Sequence, residues 1–181
     1  MLHTYLEKAL IPALNRQGVK QVGVFEETGE ALPKKLYVLI AHKNIQAYAM
    51  AYDVLEKDQQ YQQAAKTYLT APQESIPFKR IATDLIKSTA GFPELKKREG
   101  ATLFELRIYE SANEDGLRRK VKMFNDSEFT IFNEVGLPIV FFGANIAGNQ
   151  MPCLTYLLAF KDRAAHDAAW SKFGPHPEWQ R

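Results

Sequence analysis

The feature that most constrains the fold is an order of elements that occurs twice along the chain. Hydrophobic periodicity predicts helix, strand, strand, helix in the first half and the same order in the second half. Residues at matching places in the two halves are also alike. Gly18 matches Gly136 and Val22 matches Val140, at a separation of 118 residues, and Tyr37 in the second strand matches Tyr156, at a separation of 119 residues. The sequence therefore predicts a tandem repeat.

The residue patterns place each element. Apolar residues spaced by three or four predict helices, and alternating or continuous apolar residues predict strands. The helices are expected over 2–14, 45–55, 58–69, 113–132 and from 162 onward. The strands are expected over 19–25, 36–40, 78–86, 103–109, 139–142 and 154–160, with a loop over 143–152.

Each half then corresponds to a βαββαβ, or ferredoxin-like, module of an α+β protein. Such a module covers one face of its antiparallel sheet with helices, so two modules can pack sheet against sheet as an α/β barrel around a cavity. We expect a first module at 1–90, a linker at 91–102 and a second module at 103–181. The first strand of the first module and the last strand of the second are missing. Either the natural chain is longer at both ends, or a partner chain covers the bare edges.

Composition excludes several classes of function. The net charge of +2 gives no electrostatic reason to expect nucleic acid as a partner. A single cysteine excludes internal disulfides and cysteine-based zinc sites. No apolar run is long enough to cross a membrane, so we expect a soluble protein. No signal segment is evident at the start, which leaves cytoplasmic and exported locations both open.

Glu128 is the strongest candidate for chemistry. It interrupts the apolar stripe of the helix that begins after Asn113, where its pKa would be raised by burial and the carboxylate could act as a general base. The alternative is that Glu128 lies at the margin of the stripe, or pairs with Arg107 or a lysine. The basic run of Arg118, Arg119, Lys120 and Lys122 on this helix is interpreted as a solvated face.

The other candidate binding residues lie on strands and on the last helix. Arg107 and Tyr109 share one face of the strand over 103–109. If that face lines the barrel, Arg107 can anchor an anionic ligand; otherwise it forms an ion pair with Glu105 or Glu128. The aromatic side chains of Phe142 and Trp170 either wall a pocket or pack in the core.

No motif indicates a cofactor. The four histidines lack the spacing of a metal site, and no metal is expected. A single histidine can still bind haem, and His42, at the end of a buried strand, is the best candidate for that role. Cys153 precedes a buried strand, where an inert thiol is expected. Whether the protein is an enzyme is left open.

The second half resembles the NIPSNAP family over residues 103–181. Glu105-Leu106-Arg107-Ile108-Tyr109 is similar to the family's opening E-L-R-x-Y signature. Tyr156-Leu157-Leu158-Ala159-Phe160, followed by Asp162, Trp170 and Pro177-Glu178-Trp179, is similar to its closing pattern, with His176 in place of an aspartate. The first half resembles the degenerate tandem copy of longer bacterial members.

This resemblance implies the fold of the dimeric α/β-barrel superfamily, which includes monooxygenases, lactone isomerases and haem-dependent enzymes. It implies no settled activity, and some eukaryotic members of the family act in protein interactions. Three hypotheses follow. The first is a protein that binds a small apolar or anionic molecule in the cavity between modules. The second is a non-catalytic scaffold, in which a homo-oligomer could cover the bare edges. The third is a haem-binding or monooxygenase-like enzyme.

Overall fold

The computed structural model describes residues 1–180 and divides into two compact units, Met1–Ile81 and Ala82–Arg181. The unit boundary therefore falls after Ile81, and the segment expected as a linker, 91–102, lies inside the second unit. Within that segment the Arg98 guanidinium donates two hydrogen bonds to the Ile139 carbonyl, at 3.0 and 2.6 Å. Phe92, just 7% exposed, packs in the core of the same unit.

The first unit is mainly helical. A continuous helix consists of α1 (Leu2–Tyr5), a π-helical segment (Leu6–Leu10) and α2 (Ile11–Arg16). An antiparallel hairpin follows, with β1 at Val22–Glu26 and β2 at Leu36–Ile40. The unit continues with α3 (Ile45–Lys57), α4 (Gln59–Leu69) and a 3₁₀ turn at Gln73–Ser75. Asn44 and Asp58 cap α3 and α4, because their side chains accept hydrogen bonds from backbone amides of the first turn.

The second unit contains four strands and two long helical stretches. The strands are β3 (Leu85–Ser88), β4 (Leu103–Glu110), β5 (Ile139–Ala147) and β6 (Cys153–Phe160). Between β4 and β5 run α5 (Glu114–Met123), a second π-helical segment (Phe124–Glu128) and α6 (Phe129–Val135). The last helix, α7, spans Arg163–Phe173. Asn113 and Asp162 cap α5 and α7, as the sequence predicts.

The four strands form one antiparallel sheet in the order β3-β5-β6-β4, so β4 lies at an edge. Side chains alternate between the two faces of a strand. On β4 one face carries Glu105, Arg107 and Tyr109, and the other carries Leu106 and Ile108. The first of these faces is turned toward the helices, since Arg107 contacts Trp170 of α7 and Tyr109 contacts Lys120 of α5.

The core of the second unit lies between this sheet face and the helices. Its largest fully buried side chains include Tyr156 on β6, Phe142 on β5 and Phe124 and Phe132 on the α5–α6 stretch. Aromatic rings meet mainly at tilted or edge-to-face angles, such as Phe124 against Phe142 at 4.6 Å. This packing fixes the helices over the sheet and so positions the polar side chains beside it.

Two expected elements differ from the structure. The prediction of a strand over 78–86 is wrong for its first seven residues. The strand observed here is Leu85–Ser88, which pairs with β5 of the second unit. In an extended strand over 78–84, each face would carry a charged side chain, Lys79 on one and Arg80 and Asp84 on the other. Neither face is therefore apolar enough to be buried. The loop over 143–152 is shorter than expected, because β5 continues to Ala147.

The architecture confirms the α+β class, with antiparallel sheets of two and four strands and five helical stretches among residues 1–180. No helix in this described part of the chain is both long and apolar enough to cross a membrane.

Candidate functional site

A polar cluster lies between β4 and the helices of the second unit. Strand alternation places Glu105, Arg107 and Tyr109 side by side on the helix-facing side of the sheet, where apolar residues are the rule. Polar groups at such a place need partners, and the partners define the site.

Arg107 is held within its own strand. Its Nη1 donates to Glu105 Oε1 at 2.7 Å, while Nε and Nη2 donate to the Tyr109 hydroxyl at 2.9 and 2.7 Å. The guanidinium also lies 4.6 Å from the ring centre of Trp170. Burial alone would lower the pKa of Arg107, but Tyr156, Glu105 and Tyr109 together raise it. Arg107 is therefore a permanently charged group whose donors are largely used.

Glu105 connects this strand to the last helix. Its Oε2 accepts a hydrogen bond from Trp170 Nε1 at 2.8 Å and lies 3.2 Å from His166 Nε2. The side chain of Glu105 is 25% exposed, so the carboxylate keeps some contact with water. These contacts tie α7 to the edge strand.

Two tyrosines continue the cluster into the core. Tyr156 on β6 is fully buried, and its hydroxyl donates to the Tyr109 hydroxyl at 3.1 Å. Burial and this hydrogen bond raise the pKa of Tyr156. Tyr156 is thus a neutral donor at physiological pH, and Tyr109 receives hydrogen bonds from both Arg107 and Tyr156.

Glu128 is buried on the apolar stripe, as one of the two interpretations requires. It is 2% exposed and ends the π-helical segment, whose wider turn changes which side chains face the sheet. Its one charged partner among residues 1–180 is Lys120, with Nζ 3.4 Å from Oε1. Burial raises the pKa of Glu128, and Lys120 opposes that rise. The lysine pairing of the alternative interpretation is therefore also present, but it is long.

Lys120 is turned inward, unlike its basic neighbours. Its side chain is 29% exposed, against 72% for Arg118, 73% for Arg119 and 69% for Lys122, each of which pairs with an exposed aspartate. The Lys120 ammonium lies 5.4 Å from the ring centres of Tyr109 and Phe124 and 5.6 Å from that of Trp179. Three aromatic rings thus surround one ammonium group, a cation–π arrangement.

A shallow depression of about 330 Å³ opens beside this ammonium. It lies where β4 ends and α5 begins, and its lining consists of Tyr109, Glu110, Ser111, Ala112, Gly116 and Lys120. A second depression of about 370 Å³ adjoins it and shares Gly116 and Lys120, with Arg119 and Met123 on its far side. Lys120 is therefore the group that joins the buried cluster to the surface.

The structure brings together four of the five expected binding residues. Arg107, Tyr109 and Trp170 are in contact, and Glu128 joins them through Lys120. Phe142 is 1% exposed and packs against Phe124 and Tyr156 in the core. Of the two interpretations of Arg107, the ion pair with Glu105 is the one present, on the helix-facing side of the sheet.

Other candidate groups lie apart from the cluster. His42 follows β2, its Nδ1 is buried and has no hydrogen-bond partner among residues 1–180, and burial lowers its pKa. Cys153 is buried, hydrogen-bonds to the Gln150 carbonyl, and has a pKa raised by burial, as suits an inert thiol. Within residues 1–180 no three histidine, cysteine or acidic side chains are grouped as metal ligands.

Sequence reasoning missed Lys120 and His166 as members of the cluster, whereas it offered Glu105 as the ion-pair partner of Arg107. Lys120 is hidden in a basic run, and its place eight residues before Glu128 matches no simple helical contact. The signal that could have found it is the charge pattern: Asp115 and Asp126 offer partners to the neighbouring basic residues, whereas Lys120 has none nearby on its outer face.

Comparisons with known proteins leave the family open. No protein-family model matches the sequence, and no curated protein matches it significantly. The argument about function therefore depends on the geometry of the site.

Proposed function

We propose that the second unit binds a small anionic molecule with an apolar part, in the depression at the end of β4. One observation carries this proposal: the Lys120 ammonium is set among three aromatic rings, lines the depression and, within the described part of the chain, has a single ion pair, a long one to a buried carboxyl. Small-molecule sites combine apolar walls with a few placed polar groups, and this depression has both.

The immediate surroundings of the Lys120 ammonium favour an anion, since Glu110, the carboxylate in the lining of the same depression, accepts a hydrogen bond from Gln150. Among residues 1–180, Glu128 is the one carboxylate within 4.0 Å of Lys120 Nζ, at 3.4 Å. Burial raises the pKa of Glu128, so this carboxyl ionises less readily than an exposed one. A ligand carboxylate, sulfonate or phosphate that enters the depression can approach the Lys120 ammonium from the solvent side and pair with it.

Arg107 has a positioning role in this proposal. Its donors are engaged with Glu105 and Tyr109, so it is not the anion anchor that the sequence suggests. Instead it holds the Tyr109 ring, which forms one wall of the depression and one face of the Lys120 cage. Trp170 stacks on Arg107 and keeps that arrangement in place.

The test uses 1-anilinonaphthalene-8-sulfonate, an aromatic sulfonate whose fluorescence rises when it is bound. The variant is Lys120→Met, and the matched control is Lys122→Met, which removes the same charge from the exposed side of α5. We expect Lys120→Met to weaken binding by about tenfold or more, the effect of removing one charge-assisted contact. Lys122→Met should bind like the wild type.

A second probe separates charge from apolar burial. N-phenyl-1-naphthylamine has the same rings without the sulfonate, so it should not distinguish Lys120→Met from the wild type. Near-ultraviolet circular dichroism of each variant excludes binding to a loosened core. Equal sulfonate affinity for Lys120→Met and Lys122→Met would contradict the proposal, and so would the lack of saturable binding by the wild type.

We further infer that the second unit is a ferredoxin-like module without its last strand. Two observations support this inference. The elements follow one another along the chain as β4, helix, β5, β6 and α7, and the strands are adjacent in the sheet in the order β5-β6-β4. The positions of the two π-helical segments support the tandem repeat. The segment of the second unit begins at Phe124, which is 118 residues after Leu6, where the segment of the first unit begins (124 − 6). That separation equals the one between Gly18 and Gly136. Membership of the NIPSNAP family stays a proposal that depends on the sequence motifs.

A non-catalytic interaction protein is the second candidate function. The observation in its favour is the position of β4 at the edge of its sheet, with an alternating and partly exposed set of side chains. An edge strand of this kind can pair with another chain.

A further inference from the structure

The chain after α7 folds back in a short series of turns that carries Trp179. The His176 and Trp179 amides donate to the Phe173 and His176 carbonyls, at 3.1 and 3.0 Å. The His176 ring anchors these turns, because its Nδ1 accepts a hydrogen bond from the Glu178 amide at 3.3 Å and its Nε2 lies 3.0 Å from Glu134 Oε2 of α6. The position of Trp179 is therefore supported by contacts within the second unit.

The Trp179 ring packs against the core and lies beside the Lys120 ammonium. Its centre is 4.5 Å from that of the Phe173 ring and 5.6 Å from Lys120 Nζ. Trp179 is 38% exposed, whereas Phe124, a second ring beside the same ammonium, is fully buried. Tyr109, the third ring, is partly buried. Of the three aromatic residues around Lys120, Trp179 is thus the most accessible to a ligand.

An acid group bound to Lys120 brings the part of the ligand that it carries close to Trp179. A charge-assisted hydrogen bond between an ammonium and an acid oxygen is about 2.8 Å long. Aromatic rings stack with their centres roughly 4.5–7 Å apart. Because the indole centre is 5.6 Å from Lys120 Nζ, a ring attached directly to the acid group can lie within stacking distance of the indole.

We propose that Trp179 selects an aryl acid, in which the acid group is attached directly to a planar aromatic ring that stacks on the indole. This inference rests on the anion site proposed at Lys120 and names the class of its ligand. Stacking of two rings adds to the gain from burying apolar surface. An alkyl chain of similar size buries apolar surface without that addition, so the site prefers an aryl acid more strongly than apolar burial alone predicts.

The Trp179 ring also contributes to the cation–π contacts of Lys120, and the two contributions differ in which ligands they affect. Loss of a ring beside the ammonium changes the ammonium itself and therefore affects every bound anion. Loss of a stacking surface affects aryl acids alone. The ratio of the affinities for an aryl acid and an alkyl acid therefore isolates the stacking contribution.

Isothermal titration calorimetry of the full chain measures this ratio with naphthalene-1-sulfonate and decane-1-sulfonate, which have the same acid group and the same number of carbon atoms. In Trp179→Leu, which keeps an apolar side chain, we expect the preference for the naphthalene compound to fall by about three- to tenfold, the usual size of a stacking contribution. Trp179→Phe keeps an aromatic ring and should retain more of the preference. An unchanged preference in Trp179→Leu would overturn the proposal, whatever the absolute affinities are.

A variant of the anion anchor separates failure of this inference from failure of the anion site. Lys120→Met should weaken the binding of both sulfonates and leave their ratio unchanged, because both use the same acid group. Equal affinity of Lys120→Met and Lys122→Met for both sulfonates would contradict the anion site itself, and the selection with it. A preference that survives in Trp179→Leu, while Lys120→Met binds both compounds weakly, would overturn the selection alone.

Proton chemical shifts of the wild-type protein give an independent check that needs no variant to fold. A stacked aromatic ring moves the proton resonances of the indole beneath it upfield, and an alkyl chain does not. At saturation with naphthalene-1-sulfonate we expect upfield shifts of the Trp179 indole and nearly unchanged Trp170 resonances, since Trp170 is engaged with Glu105 and Arg107. Upfield shifts at Trp170 alone, or at neither tryptophan, would overturn the proposal.

Discussion

Glu128 shows what a single residue can reveal in a sequence and what it cannot. Its position on an apolar stripe is visible in the residue pattern, and the structure places it at 2% exposure. Its partner is not visible, because the π-helical turn between Lys120 and Glu128 sets which side chains meet, and no local pattern predicts that turn. Lys120 therefore emerges only when the helix is packed on the sheet.

The raised pKa of Glu128 has a consequence for stability. The folded state binds the proton more tightly than the unfolded state, so the stabilisation from Glu128 is present below its ordinary pKa of 4.5 and is lost as the pH rises through the raised value. The Glu128→Gln variant cannot ionise at this position, so it does not lose this stabilisation as the pH rises. We expect the free energy of unfolding of Glu128→Gln to gain on that of the wild type as the pH rises, by about 1.4 kcal/mol for each unit of difference between the folded and unfolded pKa.

Urea unfolding at several pH values measures this gain. Tryptophan fluorescence is the appropriate signal, because Trp170 and Trp179 are the two tryptophans of the chain and both lie in the second unit. Glu128→Leu is the control, since it also removes the titrating group and should show the same pH trend at a different absolute stability. A difference between wild type and both variants that does not change with pH would contradict the buried-carboxyl interpretation.

At the scale of elements, the local residue pattern predicts which helices and strands form, and partners distant in sequence determine where a strand ends. The strand β2 and the starts of three helices follow the sequence closely, because periodicity and capping are local properties. The extents of β3 and of the end of β5 do not, because residues 143–147 form a strand where β3, and in part β6, supply hydrogen-bonding partners. Gly143, taken in sequence as the start of a loop, lies inside β5 for this reason.

Two glycines of the second unit should respond oppositely to alanine. A Cβ on Gly143 would lie 2.5 Å from the Lys87 carbonyl oxygen, which is backbone of the paired strand β3. We expect Gly143→Ala to lower the free energy of unfolding by about 1–3 kcal/mol, the usual cost of overpacking. A Cβ on Gly116 in α5 meets nothing closer than 3.5 Å, so Gly116→Ala should raise stability by up to about 1 kcal/mol.

Urea denaturation of both glycine variants, again followed by tryptophan fluorescence, checks this pair. Gly116→Ala is the control for the effect of adding a methyl group to the second unit. If Gly143→Ala is as stable as the wild type, then β3 does not pack against β5 as closely as the structure indicates.

At the scale of the whole molecule, the two units differ in how much core they contain. The first has a cluster of five buried residues, three of them alanine, and a two-stranded sheet. The second has a large aromatic and aliphatic core over a four-stranded sheet. The repeated element order is visible in the sequence because both halves keep the same periodicities, but this difference in core is not. The proposed anion site accordingly belongs to the second unit alone.

The measurement that tests this claim most directly is a titration of ¹⁵N-labelled wild-type protein with 1-anilinonaphthalene-8-sulfonate, followed by amide chemical shifts. Every amide of the chain reports at once, so the spectrum locates the site as well as detecting it. We expect saturable shifts at Ser111, Gly116 and Lys120, which line the depression, and small ones across Met1–Ile81. Largest shifts within Met1–Ile81, or shifts that never saturate, would contradict the account.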